Sequence, residues 1–138
     1  MASGEESLPK QVVGIIEDCG YSSVWDELKY QAKEMYNLPA FPILYEVSAL
    51  SKLRAGFSYG EASSVNQLKK NTLPVLFIHG SQDDFVPTSM VYKNYQATKG
   101  PKELYIVKGA KHANSFETDP KGYMEKIAQF LKKYEKSY

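Results

Sequence analysis

The sequence predicts an α/β protein built on three parallel strands, and three observations carry that expectation. Val12–Ile16, Leu73–Ile78 and Leu104–Val107 are short apolar runs without polar alternation, as expected of strands covered by helices on both faces. Stretches with helical spacing stand between and after them, and alternating strands and helices close into parallel sheets through right-handed crossovers. The length of 138 residues suits one domain, and 43% hydrophobic residues, 24% charged residues and a net charge of +1 argue against disorder, a basic nucleic-acid-binding face and an acidic tail.

The first strand, Val12-Val13-Gly14-Ile15-Ile16, runs out into Glu17-Asp18-Cys19-Gly20. Ser23, with Asp26 three residues on, is placed to cap a helix whose apolar positions are Val24, Trp25, Leu28, Ala32, Met35 and Tyr36, with Pro39 as its stop. Residues 39–70 hold many aromatic and aliphatic residues without a clean period and are too long for a bare connection, so they read as an inserted cap of short helices. Leu73–Ile78 is the second strand. Ser89–Lys99 is a helix carrying Val91, Tyr92 and Tyr95, ended by Gly100-Pro101. Leu104–Val107 is the third strand, followed by a loop from Gly109 to Thr118. Asp119 and Pro120 supply the N-cap and first residue of a last helix with an inward stripe of Met124, Ile127, Ala128, Leu131 and Tyr134, and with Lys126, Lys132 and Lys133 on its wet face.

In a parallel sheet the C-terminal ends of the strands share one edge, so the loop holding Asp83 and Asp84 lies beside the loop Lys108-Gly109-Ala110-Lys111-His112-Ala113. A carboxylate that holds one nitrogen of an imidazole leaves the other free to take a proton from a nucleophile. His79-Gly80-Ser81-Gln82-Asp83-Asp84-Phe85-Val86-Pro87 resembles the acid loop of the α/β-hydrolases, HGxxDxxVP, and Gly109-Ala110-Lys111-His112 resembles their GxxH histidine loop. The resemblance covers the whole chain as the C-terminal half of that fold, with a flavour of the bacterial esterase and prolyl-oligopeptidase-like branches. It implies that Asp83 is the triad acid and His112 the general base. It also implies that Phe85-Val86-Pro87 returns the chain to the next helix, and that residues 39–70 form a lid whose Phe41, Leu44, Tyr45 and Phe57 meet a small acyl or peptide-like substrate.

The nucleophile elbow GxSxG and the HGGG-type oxyanion segment do not occur in the sequence. The expectation is therefore a C-terminal fragment of a serine hydrolase acting on esters, thioesters or amides, inactive alone, with Met1–Gly4 as the end of the helix that the missing serine would open. The first strand would then have a bare edge, open to homo-oligomerisation or to the missing N-terminal half. Asp84 reads as a solvated neighbour and His79 as a structural partner within the acid loop. Cys19, Ser22 and Ser23 lie at the right sheet edge for a substitute nucleophile, although Ser23 serves better as a cap. Two other readings are a noncatalytic α/β module that binds a protein or ligand, and a receiver-type metal site combining Asp83 and Asp84 with Glu17 and Asp18. Apart from that alternative no metal or cofactor is implied, since the chain has one cysteine and no CxxC or His/Cys cluster. A lone cysteine, no signal-like start and no long apolar run suggest a cytoplasmic protein without a membrane segment.

Overall fold

Strands form at the apolar runs, but hydrogen bonding shifts their limits. The computed structural model describes residues 4, 5 and 8–135. Three strands, β1 (Ile15–Asp18), β2 (Val75–Gly80) and β3 (Lys102–Val107), pair in parallel in the order β1-β2-β3. Ile15 stands opposite Val75, and Val75 opposite Lys102. The central strand β2 is buried at all six positions, as its continuous apolar run predicts.

At the edge that prediction fails. β1 begins three residues later than the run Val12–Ile16, and Ile16 is 39% exposed, because β1 has a partner on one side only among the described residues. β2 extends to His79 and Gly80, and β3 starts at Lys102, so both strands carry polar residues that the apolar runs do not reveal.

Among the described residues six helices accompany the strands: α1 (Val24–Tyr36), α2 (Ile43–Ala55), α3 (Ser64–Leu68), α4 (Thr88–Ala97), α5 (Ser115–Thr118) and α6 (Pro120–Tyr134). One face packs Leu76, Ile78, Val107 and Ala110 against Phe130 of α6. The opposite face packs Val75 and Phe77 against Leu68 of α3 and Val91 of α4. Burying each of the larger of these side chains, from valine to phenylalanine, contributes roughly 1.5–3 kcal/mol.

Ser23 Oγ accepts from Asp26 N at 3.0 Å, as its spacing predicts. α1 stops at Asn37, which adopts the left-handed conformation (φ 51°) two residues before Pro39, and its last turn leaves Met35 and Tyr36 exposed rather than inward. Within 39–70 the short helices are α2 and α3; Tyr45 packs edge-on against Trp25 with centroids 4.8 Å apart, and Phe41 lies 5.9 Å from Tyr45. α4 ends at Ala97, before Gly100-Pro101, where Lys102 Nζ donates to the carbonyls of Tyr95 and Thr98 at 2.9 Å each. On α6, Asp119 Oδ1 accepts from Gly122 N at 2.9 Å and Pro120 opens the helix. Its inward stripe is Tyr123, Ile127, Phe130 and Tyr134, whereas Met124 and Leu131 are exposed. Ile127 and Tyr134 thus face inward as expected, while Tyr123 and Phe130 take the inward places expected of Met124 and Leu131, and Ala128 is exposed. Lys133 pairs with Glu103 of β3 at 2.8 Å. The helical end expected at Met1–Gly4 lies, from Met1 to Ser3, outside the described residues. Among the described residues no helix is long and apolar enough to cross a membrane.

Candidate active site

Gly80 ends β2 opposite Val107, the last residue of β3. A Cβ on Gly80 would collide with the carbonyl oxygen of Ala110, so the absence of a side chain lets the two following loops touch through their backbones. They are laced together by Ser81 N to Val107 O at 3.0 Å, Gln82 N to Ala110 O at 2.9 Å, and Gly109 N to Ser81 Oγ at 2.8 Å. Gly109 turns the second loop with φ 81°.

This frame fixes Asp83, whose side chain is fully buried. Its Oδ1 accepts from Phe85 N at 3.0 Å and Val86 N at 2.8 Å, an Asx-type turn that orients the carboxylate. Its Oδ2 lies 2.9 Å from His112 Nδ1 and 3.3 Å from His79 Nε2. A buried carboxylate needs such donors to offset its lost hydration. His79 is buried too; its Nε2 meets the Val86 carbonyl at 2.9 Å while Nδ1 has no partner, so the proton belongs on Nε2, facing two acceptors. His79 thus pins the acid loop. By the same reasoning His112 Nδ1 donates to Asp83, which leaves His112 Nε2 as the basic nitrogen on a side chain 35% exposed.

Asp84 is exposed, and its carbonyl accepts from Tyr30 OH of α1 at 3.0 Å. Gln31 Nε2 donates to the Phe85 carbonyl at 2.6 Å and to Glu27 Oε1 at 3.0 Å, so α1 grips the acid loop from outside. The Phe85 ring lies over His112 with centroids 4.9 Å apart. Its sequence suggested only a chain return. Of the four substrate-facing residues expected in the cap, Phe41 (72% exposed), Tyr45 and Phe57 are on the surface and Leu44 is half-buried. Phe41 and Tyr45 make their ring contacts with each other and with Trp25.

Cys19 follows β1 in the left-handed conformation (φ 57°), and its Sγ accepts from the backbone N of Ala113 (φ 53°) at 3.2 Å. The Sγ–H donates to Asp18 Oδ1 at 3.1 Å. Burial first, and then Asp18, push the thiol up to about 12, so it stays protonated and is no activated nucleophile at neutral pH. Ser22 is buried and donates to Asp26 Oδ2 at 2.6 Å, while Ser23 caps α1. The receiver-type acidic cluster does not assemble. Glu17 points instead into the protein, where Asn94 Nδ2 donates to its Oε1 at 2.9 Å, and Asp18 Oδ2 accepts from Tyr123 OH at 2.9 Å. Burial pushes the Glu17 carboxyl up to about 7 against the lowering effect of Asn94.

Two details at this rim go beyond the placement of Cys19 at the sheet edge. Cys19 Sγ, a carboxylate oxygen of Asp83 and a ring nitrogen of His112 all lie within 4.8 Å of one another. Glu27 keeps Oε2 buried without a hydrogen-bond partner; burial raises its pKa, the Gln31 bond and the charge of His112 lower it, and Asp83 raises it. Cys19 is 64 residues before Asp83 and 93 before His112 in the numbering, so no local spacing could signal the grouping.

No protein-family model matches the chain. The uncharacterized protein YqkD of Bacillus subtilis (strain 168) is 34% identical over 116 residues, which cover 84% of this chain and 38% of YqkD. The chain thus spans about two fifths of the length of this curated relative. Among solved structures, the acylaminoacyl peptidase of Pyrococcus horikoshii matches with a TM-score of 0.69 and 18% identity, over 99% of this chain and 22% of the peptidase. The acetyl xylan esterase of Paenibacillus sp. R4 matches at 0.67 and 17%, over 96% of this chain and 40% of the esterase. An esterase of Pyrococcus furiosus matches at 0.61 and 20%, over 96% and 48%. These neighbours are α/β-hydrolases. The chain has the C-terminal part of the α/β-hydrolase fold, with three parallel strands and their flanking helices.

Proposed function

We propose that Asp83 and His112 are the acid and base of a serine-hydrolase triad whose hydroxyl is carried by residues preceding this sequence in a longer polypeptide. One observation carries the reading: His112 Nδ1 meets the buried Asp83 Oδ2 at 2.9 Å while the side chain remains partly exposed for Nε2 to work. His112 would take the serine proton as the hydroxyl attacks an ester, thioester or amide carbonyl, then return it to the leaving group. Asp83 would hold the tautomer and stabilise the imidazolium, and backbone N–H groups outside this sequence would bind the oxyanion. The Asp-before-His order and the partial coverage of YqkD and of the structural neighbours support the same reading.

α2 and its surroundings would act as the lid, with Phe41, Leu44, Tyr45 and Phe57 turning toward an acyl or peptide-like substrate when the rest of the fold is in place. The edge of β1 would pair with the preceding strand of that longer polypeptide, or with a second copy of this chain in its absence. A reducing, cytoplasmic setting suits the unpaired Cys19.

The test is a fluorophosphonate serine probe and ester turnover, applied to the chain alone and to the polypeptide extended by the upstream coding sequence. The extended form is expected to be labelled and active, with Asp83→Asn lowering kcat by about 10⁴-fold and His112→Ala at least as far; the chain alone is expected to be silent. Undiminished turnover in His112→Ala would refute the assignment. An extended polypeptide that binds ligands but never labels would favour a noncatalytic module.

A further inference from the structure

We propose that Cys19, Asp83 and His112 form a binding site for a zinc-like divalent metal ion, assembled from the loops that follow all three strands. The donors are a thiol sulfur, a carboxylate oxygen and an imidazole nitrogen, lying within 4.8 Å of one another. Zinc bound to such groups takes bonds of ~2.3 Å to sulfur and ~2.0–2.2 Å to nitrogen and oxygen, which in a tetrahedron sets the donors roughly 3.3–3.8 Å apart. His112 Nδ1 and Asp83 Oδ2, at 2.9 Å, need only open slightly, and Sγ needs to close by roughly 1.5 Å at most.

The supports of a metal site are present. Asp83 Oδ1 is tied down by Phe85 N and Val86 N, which leaves Oδ2 aimed at the site. Ala113 N orients Sγ, and that residue follows His112 directly, so sulfur and imidazole are held by one turn of backbone. Three protein donors leave a fourth position of the tetrahedron for water. Nearby, Glu27 Oε2 is buried without a donor among the described residues, the kind of orphan acceptor that a bound water or ion accounts for.

The proton and charge balance is simple. The metal takes the place of two protons: the one on His112 Nδ1, which ends on Nε2 so that the imidazole stays neutral, and the Sγ–H proton now given to Asp18, which passes to solvent, so that one proton is released overall. A thiolate, a carboxylate and a neutral imidazole around a dication sum to zero, which suits a buried site. A sulfur and a nitrogen donor select zinc, cobalt or copper over magnesium or calcium. Resting on the hydrolase reading, a further consequence is that bound zinc occupies Asp83 and His112 Nδ1 together and holds the triad off until a chelator removes it.

The test is a titration of the full chain with Co²⁺, read as thiolate-to-cobalt charge transfer in the near ultraviolet, followed by displacement with Zn²⁺ and with Mg²⁺. The expected result is a one-to-one band that Zn²⁺ removes and Mg²⁺ does not. Cys19→Ser should abolish it, and His112→Gln and Asp83→Asn should each weaken Zn²⁺ binding by more than the ~10–100-fold typical of losing an outer-sphere partner. Circular dichroism establishes that each variant is folded; if Cys19→Ser is not, the partly exposed His112→Gln carries the decision. No band in the wild-type chain, or a band undiminished in either folded variant, would overturn the site. The readout uses no turnover, so its failure leaves the hydrolase reading untouched, and failed labelling of the extended polypeptide leaves the metal site untouched.

Discussion

Glu17→Gln is expected to stabilise the protein at neutral pH and above while changing little in mild acid. Glu17 is buried; Oε1 accepts from Asn94 Nδ2 at 2.9 Å, whereas Glu17 Oε2 and Asn94 Oδ1 both lack partners. A proton on Oε2 would let it donate to Asn94 Oδ1 and complete a reciprocal acid–amide pair, and burial correspondingly raises the carboxyl from 4.5 to about 7. The folded state therefore keeps a proton that the unfolded chain releases near 4.5. Stability from this group is full below that pH, falls as the pH rises, and is lost above about 7. The span amounts to about 3 kcal/mol, or roughly 10 °C in Tm for a domain of this size. Glutamine offers the same donor and acceptor without a charge. Thermal melts of both proteins from pH 4 to pH 8 should diverge steadily between those limits and run parallel above them. Profiles that stay parallel throughout would mean that Glu17 is ionised or hydrated in the folded protein, and would refute the acid–amide pairing.

Other substitutions probe the frame. Phe130→Ala should cost about 3–5 kcal/mol, since Phe130 is 1% exposed at the centre of the α6 face, and urea midpoints will read it. Met124→Ala, on the exposed stripe, should stay within about 0.5 kcal/mol in the same assay. Gly80→Ala should cost about 1–3 kcal/mol by driving a methyl group into the Ala110 carbonyl, and it should disturb the Asp83–His112 contact, visible as a shifted imidazole resonance of His112.

The parallel order and the meeting of Asp83 with His112 were legible because each rests on a short local pattern repeated at strand ends. The limits of the strands were not. Val12 and Val13 are β-branched and apolar like Ile15, yet only the pairing with β2 decides where β1 begins, and that depends on residues some 60 positions away. The make-up of the α6 stripe has a similar origin. Met124 and Leu131 are spaced as well as Tyr123 and Phe130, and only the sheet's shape selects which set turns inward. At the rim, Cys19 and Glu27 come from the other side of the long 39–70 segment, so their approach to the Asp–His pair exists only in three dimensions. Phe85 was visible as part of the acid-loop pattern, but its stacking on His112 follows from the turn that Asp83 Oδ1 imposes.

The edge-on packing of Trp25 and Tyr45 has a practical outcome. Trp25 is the sole tryptophan among 138 residues, so its emission comes from one location, the joint between α1 and α2. Any swing of α2 away from α1 changes the surroundings of that single indole. Stopped-flow fluorescence can therefore time such a movement in the unlabelled protein, with Tyr45→Leu as the control that silences the signal.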